Sequence, residues 1–208
     1  MTLRTATPGA RSPRGRDTLR RVTTQTVAGA RKHGPVTLRP LTMGDAPRVR
    51  RWMADIELIR FTVVVPGPEH GALLPYSVAE ADHYLSTLVC DPTRRSFAIE
   101  VDGVHVGNVG IKEWRAGNID AECFIEIGEV AARGAGVGHK AMRLMLESAF
   151  GELGLEIVRL GVFAFNAPAI ALYRKLGFVD DGRYGMHWAD GRWHEINSMA
   201  LLRERFAP

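Results

Sequence analysis

VAARGAGVGHK, at residues 130–140, is the most informative stretch of this sequence. A predicted strand ends before it, glycines alternate at Gly134, Gly136 and Gly138, and an amphipathic helix begins at Val137. Glycines let successive backbone N–H groups converge on one concavity, and the N-terminus of a helix favours an anion there. The stretch therefore predicts an anion-binding turn, with a plain tight turn as the alternative.

The spacing of this turn excludes two common phosphate-binding motifs. Its glycines follow G-x-G-x-G, whereas the dinucleotide-binding fingerprint requires G-x-G-x-x-G. Lys140 is not followed by Ser or Thr, and the four-residue interval of a Walker A loop is missing. The stretch is therefore neither a dinucleotide-binding fingerprint nor a Walker A loop.

Hydrophobic periodicity predicts regular elements on both sides of the turn. Asp102-Gly103 is a two-residue signal for a type I′ hairpin between the first two of three antiparallel strands. From residue 97 onward the predicted elements are strands at 97–101, 104–111 and 121–128, a helix from Val137 to about Leu153, a strand at 157–163, a helix from Pro168 to Gly177, and strands at 178–188 and 192–202.

The N-terminal half adds one strand and two helices. A strand is predicted at 36–41, followed by a helix with apolar residues at near-helical spacing over 49–59. A loop rich in Pro and Gly covers 63–76, and Ser77 with Glu80 forms a capping box before a helix to about Val89. This order of elements predicts the α/β class, with a mixed sheet rather than a doubly wound parallel one.

Composition indicates an ordinary soluble protein. Hydrophobic residues make up 46% of the chain and charged residues 24%. No run of 18 apolar residues and no secretory signal are present, so we expect no membrane span. Cys90 and Cys123 lack metal-type spacing, which predicts no disulfide framework, no metal site and a reducing cytoplasm.

Charge divides the chain into a basic extension at 1–35 and a domain at 36–208. The extension carries eight basic residues and one acid, a net charge of +7, so the rest of this +4 chain sums to −3. The extension lacks apolar periodicity and is predicted to be disordered. A role in nucleic-acid binding would rest on weak contacts of residues 1–35 alone. The alternatives are a solvated extension or a start codon assigned too early.

A second motif follows the turn by about 28 residues: NAPAIALYRKLGF, at 166–178. An Arg-Gly-Ala-Gly-Val-Gly turn that opens a helix, followed by this segment after a strand, resembles the GNAT N-acetyltransferase superfamily over about residues 36–204. Glu126-Ile127-Gly128 resembles the RimJ/RimL branch, as does DGRWHE at 190–195 leading to MALLRE at 199–204.

The resemblance implies a mostly antiparallel, splayed sheet flanked by helices, with acetyl-CoA as co-substrate between two parallel strands and no metal. Tyr173 would contact the cofactor and protonate the departing sulfur, with a core aromatic as the alternative. The remaining cofactor contacts that it implies are the pyrophosphate at Arg133, Gly134, Ala135, Gly136, Val137 and Gly138, the pantetheine at Ile127, Gly128, Glu129 and Val130, and further contacts at Asn166 and Ala169. His139, at the start of the helix, is a candidate contact of the CoA phosphates, with a solvated polar side chain as the alternative.

The chemistry also requires a base, because the amine must lose a proton when it attacks the thioester. Glu126 is the candidate, since it lies on the strand that flanks the thioester; the alternative is that it faces away or only orients the substrate. The position on the following strand that serves relatives acetylating ribosomal alanine is Gly161 here. This departure weakens a transfer of their substrate.

The acceptor is a small amine (amino sugar, antibiotic or polyamine) or a protein N-terminus, attacked directly in a ternary complex. The charge of −3 favours a small cation, whereas the branch resemblance favours a protein N-terminus. A non-catalytic acyl-CoA-binding or regulatory module is the alternative function. A homodimer is left open, because edge strands in this fold often pair between subunits. Candidates for the acceptor wall, each with a packing role as the alternative, are Trp52, Phe61, His187, Trp188, Trp193 and His194.

Overall fold

The apolar segments of the sequence form the strands of one sheet. A computed structural model describes residues 34–62, 73–188 and 190–206. Within these residues seven strands are ordered β1-β2-β3-β4-β5-β7-β6 across the sheet. They are β1 (Val36–Pro40), β2 (Arg95–Val101), β3 (Val104–Lys112), β4 (Asp120–Ile127), β5 (Ile157–Phe163), β6 (Val179–His187) and β7 (Trp193–Leu202).

Five α-helices accompany the sheet in the described part of the chain: α1 (Ala46–Met53), α2 (Ile56–Ile59), α3 (Val78–Cys90), α4 (Val137–Gly151) and α5 (Ala167–Lys175). The sequence predicted one helix where α1 and α2 stand, and this prediction was wrong. Asp55 has an extended backbone and accepts a hydrogen bond from the Glu57 N–H, 3.0 Å away, so it caps a new helix.

The helices cover both faces of the sheet. On one face the apolar stripe of α4, with Met142, Met145 and Leu146 fully buried, packs in one core cluster with strand residues such as Val109. On the other face α1 and α3 pack together, and Leu85 lies beside Ala98 of β2. Both faces of the sheet are therefore packed against helices within the described residues.

Local turn and cap signals were predicted correctly. Asp102 and Gly103 both have positive φ, 52° and 76°, as a type I′ hairpin requires. Ser77 Oγ accepts from the Glu80 N–H, and Glu80 Oε2 accepts from the Ser77 N–H at 2.7 Å, which completes the capping box. Gly177, just beyond α5, has φ 94°, the left-handed conformation of a C-terminal cap.

The sheet opens between β4 and β5, its one parallel pair within the described residues. These strands pair only at Asp120↔Ile157, Ala121↔Val158 and Glu122↔Arg159. Beyond this point β4 pairs with β3 alone over 123–127, while β5 pairs with β7 alone over 160–163. The mixed, mostly antiparallel and splayed sheet that was predicted is therefore confirmed.

Several predictions fall on residues that the structure does not describe. The predicted disordered extension lies at 1–35, of which 1–33 are outside the described residues. The same holds for 63–72 of the predicted loop. Across the described ranges, no helix combines the length and apolar character needed to span a bilayer.

Candidate active site

A cleft of ≈ 1510 Å³ begins in the opening between β4 and β5. One part runs along β4 to the turn after it and to the first residues of α4 and α5. The other part extends beneath α2 and α3. Since binding pockets for single small molecules measure about 300–1,000 Å³, the cleft has room for two substrates together.

The glycine turn forms the end of the cleft at α4. Gly134 has φ 72° and Gly136 has φ 83°, conformations that only glycine adopts readily. A Cβ at either position would meet no protein atom within 4 Å, so packing inside the fold does not explain these glycines. The turn leads directly into the 15-residue helix α4, whose N-terminus attracts anions.

Basic side chains surround this end of the cleft. His139, Lys140 and Lys175 all line it. Burial, followed by the charges of Arg143 and Lys175, lowers the pKa of His139. The field around the turn is therefore positive, as the site of a phosphate requires.

Arg133 occupies a different position from the one expected of a pyrophosphate ligand. Its Nε donates to the Ile127 carbonyl at 2.9 Å, and one terminal nitrogen donates to the Gly128 carbonyl at 3.0 Å. The same nitrogen lies 3.7 Å from a carboxylate oxygen of Asp55. The guanidinium thus holds the end of β4 against the start of α2, although Arg133 still lines the cleft.

Some residues assigned to the cofactor by sequence do not line the cleft. A Cβ at Gly128 would overlap the indole ring of Trp52, which explains this glycine by packing. Glu129 pairs with Arg48 and Arg51 and accepts from Trp52 Nε1 at 3.2 Å. The predicted residues outside the cleft lining are Gly128, Glu129, Val130, Ala135 and Val137, whereas Ile127, Gly134, Gly136, Gly138 and Asn166 line it.

Tyr173 lies in the last turn of α5 and lines the cleft. It is buried, and burial, followed by the neighbouring Cys123, raises the pKa of its hydroxyl above the ordinary value. The hydroxyl therefore carries its proton at neutral pH. Asn166 Oδ1 accepts from the Ala169 N–H at 3.3 Å, which caps α5 and fixes the direction of this helix.

Glu126 is a buried carboxyl group, only 6% exposed, in the lining of the cleft. Asn108 Nδ2 donates to it at 2.6 Å and Tyr84 Oη donates to it at 2.9 Å. Burial is the largest influence and raises the pKa of Glu126, while the two donors oppose the rise. Burial and then Glu126 in turn raise the pKa of Tyr76 to about 12.

Sequence reasoning missed Asn108 and Tyr84. Asn108 carried a usable signal, because it is a polar residue inside β3, whose other buried positions are mostly apolar or glycine. Tyr84 carried none, since an aromatic residue on a helix most often belongs to the core. The other acids near Glu126 face cations: Glu122 pairs with Lys112 at 2.8 Å, and Asp120 with Arg159 at 3.7 Å.

Of the aromatic candidates for the acceptor wall, some line the cleft and others lie outside it. Phe61 lines the cleft, whereas Trp52 is 3% exposed and belongs to the core under α3. Trp193 is 63% exposed and packs against His187 outside the cleft.

Residues 36–179 match the family described as the acetyltransferase (GNAT) domain. The chain belongs to this family. The match covers the glycine turn, Glu126 and Tyr173, and it confirms the resemblance that the two sequence motifs carry. The protein is accordingly an acetyl-CoA-dependent N-acyltransferase.

The chain is also similar to individual acetyltransferases and to their solved structures. The chain is 28% identical over 173 residues to a spermidine N(1)-acetyltransferase of Escherichia coli K12, covering 82% of this chain and 88% of that protein. The spermidine N-acetyltransferase of Vibrio cholerae in complex with CoA and spermine superposes with a TM-score of 0.70 at 23% identity, covering 82% and 96%. Mycobacterium smegmatis RimJ in complex with CoA-disulfide gives 0.68 at 22%, covering 82% and 83%.

Proposed function

We propose that this GNAT enzyme transfers the acetyl group of acetyl-CoA to a primary amine of a small aliphatic polyamine, within a ternary complex. The observation that carries the proposal is Glu126, a buried carboxyl group in the cleft between the open stretch of β4 and the space beneath α3. A carboxylate in this position can both attract a cationic amine and accept its proton.

The donor half of the cleft suits coenzyme A. The backbone of β4 over 123–127 has no strand partner on its β5 side, so it can pair with the pantetheine amides. The turn at Gly134 and Gly136 would hold the diphosphate on backbone N–H groups, with Lys140 and Lys175 supplying charge.

The acceptor half combines acids with aromatic rings. Glu126 and Glu80 line it together with Tyr76, Tyr84 and Phe61. Carboxylates and ring faces both attract ammonium groups, so a chain with several amines gains contacts along the cleft. The E. coli and V. cholerae relatives, named for spermidine acetylation, support the polyamine class over a protein N-terminus.

The reaction then needs three proton transfers: two from the nitrogen and one to the sulfur. Glu126 takes a proton from the ammonium group, directly or through one water, and the neutral nitrogen attacks the thioester carbonyl carbon. The new C–N bond forms, the tetrahedral adduct collapses, and the C–S bond breaks. Tyr173 donates its proton to the sulfur, which leaves as the thiol of CoA. The nitrogen of the adduct gives its second proton to water, Glu126 releases its proton to solvent, and the tyrosine is reprotonated from solvent.

Release of free thiol from acetyl-CoA tests the proposal. The full-length protein is assayed separately with spermidine, spermine, putrescine, an aminoglycoside and a peptide with a free N-terminus. The expected result is a kcat/KM highest for a polyamine by at least about tenfold. Turnover only with the peptide, or with none of these acceptors while acetyl-CoA still binds, would overturn the assignment.

A matched pair of variants tests the role of Glu126. Glu126→Gln should lower kcat by about a hundredfold or more and leave the Kd of CoA unchanged, because general bases contribute about 10²–10⁴-fold. Glu122→Gln removes a carboxylate from the same strand, where it pairs with Lys112, and should have a much smaller effect. Equal losses in the two variants would remove Glu126 from the mechanism.

A further inference from the structure

A series of buried polar groups leads away from Glu126 along the face of the sheet that α1 and α3 cover. Asn108, which donates to Glu126, is fully buried, and His105 is 3% exposed. His105 Nε2 lies 2.9 Å from Asn108 Oδ1 and 3.0 Å from the Gly107 carbonyl oxygen. Its Nδ1 lies 3.3 Å from Asp45 Oδ1. The polar groups thus extend from the cleft across β3 to Asp45.

Hydrogen-bond chemistry fixes the direction of this chain. A backbone carbonyl can only accept, so the His105 Nε2 that faces Gly107 must carry a proton. That N–H also faces the Asn108 amide, which must therefore turn its oxygen toward His105 and its NH₂ toward Glu126. The reversed amide would set NH₂ against N–H and an oxygen against the Glu126 carboxylate, two repulsive contacts in a buried site.

Asp45 anchors the far end of the chain. Arg39 donates to both of its carboxylate oxygens, at 2.9 and 2.6 Å, and the Thr42 N–H donates at 3.0 Å. Burial alone would raise the pKa of Asp45, but these donors outweigh it and bring the pKa to about 2. Asp45 is therefore ionised at neutral pH, and it lies beside Nδ1 of His105, which has no hydrogen-bond partner among the described residues.

We propose that His105 and Asn108 form a positioning relay for Glu126: the Nε2–H of His105 locks the Asn108 amide so that its NH₂ always faces the Glu126 carboxylate. The positioning of the Asn108 amide does not depend on the proposed function. Only its use in catalysis, through Glu126 as the base, rests on that proposal. Neither residue touches the substrates; both act through Glu126. Loss of the lock frees the amide to turn, and the carboxylate then loses a donor and holds its proton more tightly.

The groups that face the relay define what else can shift its titration. Tyr84 contacts Glu126 from α3, and Tyr76 acts on it from the segment before α3. Asp45 and Arg39 face His105 from the β1 side. None of these groups changes in the variants below, so a shift in Glu126 reports on the Asn108 amide.

Two substitutions at His105 separate the relay from simple packing. The terminal NH₂ of Gln can occupy the place of Nε2, whereas that of Asn occupies the place of Nδ1. His105→Gln therefore keeps a donor to Asn108, whereas His105→Asn turns its NH₂ toward Asp45 and leaves Asn108 without a donor. His187→Asn, at an exposed histidine outside the cleft, is the control.

The test follows the Glu126 carboxyl carbon by ¹³C NMR across pH, assigned by its disappearance in Glu126→Gln. His105→Asn should raise the titration midpoint by about one to two pH units, the value of one hydrogen bond to a charged group. His105→Gln should keep the midpoint close to that of the parent protein, and His187→Asn should leave the midpoint unchanged. An unshifted midpoint in His105→Asn, or equal shifts in Asn and Gln, would refute the relay.

His105→Leu keeps the relay testable if His105→Asn fails to fold. It removes the Nε2–H donor to Asn108, so the midpoint must rise here too; an unchanged value overturns the relay. The titration needs no acceptor. If it shifts as expected while the acid limb of kcat/KM against pH does not follow, the relay stands and the base role of Glu126 is wrong.

Discussion

Gly136→Asp gives the sharpest test of the glycine turn as the phosphate site. Gly136 has φ 83° and no protein atom within 4 Å of an added Cβ. The substitution therefore costs about 1 kcal/mol in backbone strain and causes no clash. Its carboxylate, however, would project into the space that we assign to the diphosphate.

The electrostatic penalty is large enough to measure. At an effective dielectric constant of about 20, like charges about 5 Å apart repel by about 3 kcal/mol. Screening by salt reduces this to about 2 kcal/mol. Such a penalty weakens CoA binding by roughly 30-fold. Gly136→Ala, which adds the Cβ without the charge, should fall between this variant and the parent protein.

Gly154→Asp is the matched control. Gly154 has φ 70°, no protein atom within 4 Å of an added Cβ, and a position after α4, at the end opposite the turn. Gly154→Asp should lose at least as much stability in thermal unfolding as Gly136→Asp, because both suffer the same strain but only Asp at position 136 lies at the N-terminus of α4. Calorimetric titration with CoA should separate them. If Gly136→Asp and Gly154→Asp bind CoA equally well, the turn is not the phosphate site.

Three further predictions concern Tyr173, Gly128 and Asp45. Tyr173→Phe should lower kcat about 10- to 1,000-fold in the thiol-release assay with little change in the KM of acetyl-CoA, because only the acid is lost; a rate like that of the parent protein would exclude the acid role. Gly128→Ala should destabilise the fold by about 2 kcal/mol and shift the fluorescence of Trp52, since its Cβ overlaps that ring; unchanged unfolding in urea would contradict the packing assigned to it. The pKa of Asp45, about 2, lies below its ordinary value, so its stabilising effect is full above about pH 5 and lost as pH falls toward 2. The stability gap between the parent protein and Asp45→Asn should therefore narrow by about 1–2 kcal/mol over that range, and a gap independent of pH would contradict the ion pair with Arg39.

Local chemistry made much of this fold predictable from the sequence. The Asp102-Gly103 hairpin, the capping box at Ser77 and the glycine after α5 each depend on a few neighbouring residues. Their conformations follow from backbone sterics and side-chain caps, which act over one turn of chain. The glycine turn was predictable for the same reason.

Contacts between distant segments were not predictable in this way. Tyr84 and Glu126 lie 42 residues apart in the chain, and Asn108 and Glu126 lie 18 apart. No spacing rule brings them together, because their contact depends on the pairing of β3 with β4 and on the position of α3. The orientation of Arg133 toward the end of β4 is a tertiary contact of the same kind.

The order of the last strands shows a related limit. The sequence predicts β6 and β7 as neighbours, and they are. It does not show that β7 rather than β6 lies beside β5. That choice follows from burial: β7 holds Ile196, Met199 and Leu201 fully buried, whereas β6 is mostly exposed and takes the edge.

The short pairing between β4 and β5 also determines how the molecule exchanges its amide hydrogens. Three residue pairs join a four-stranded half, β1 to β4, to a three-stranded half, β5 to β7. Amides of 123–127 that face the gap have no partner strand, so they should exchange with D₂O far faster than those bonded to β3. Bound CoA would supply the missing partner. Slower exchange of alternate amides of β4, over residues 123–127, would then show that CoA has bound.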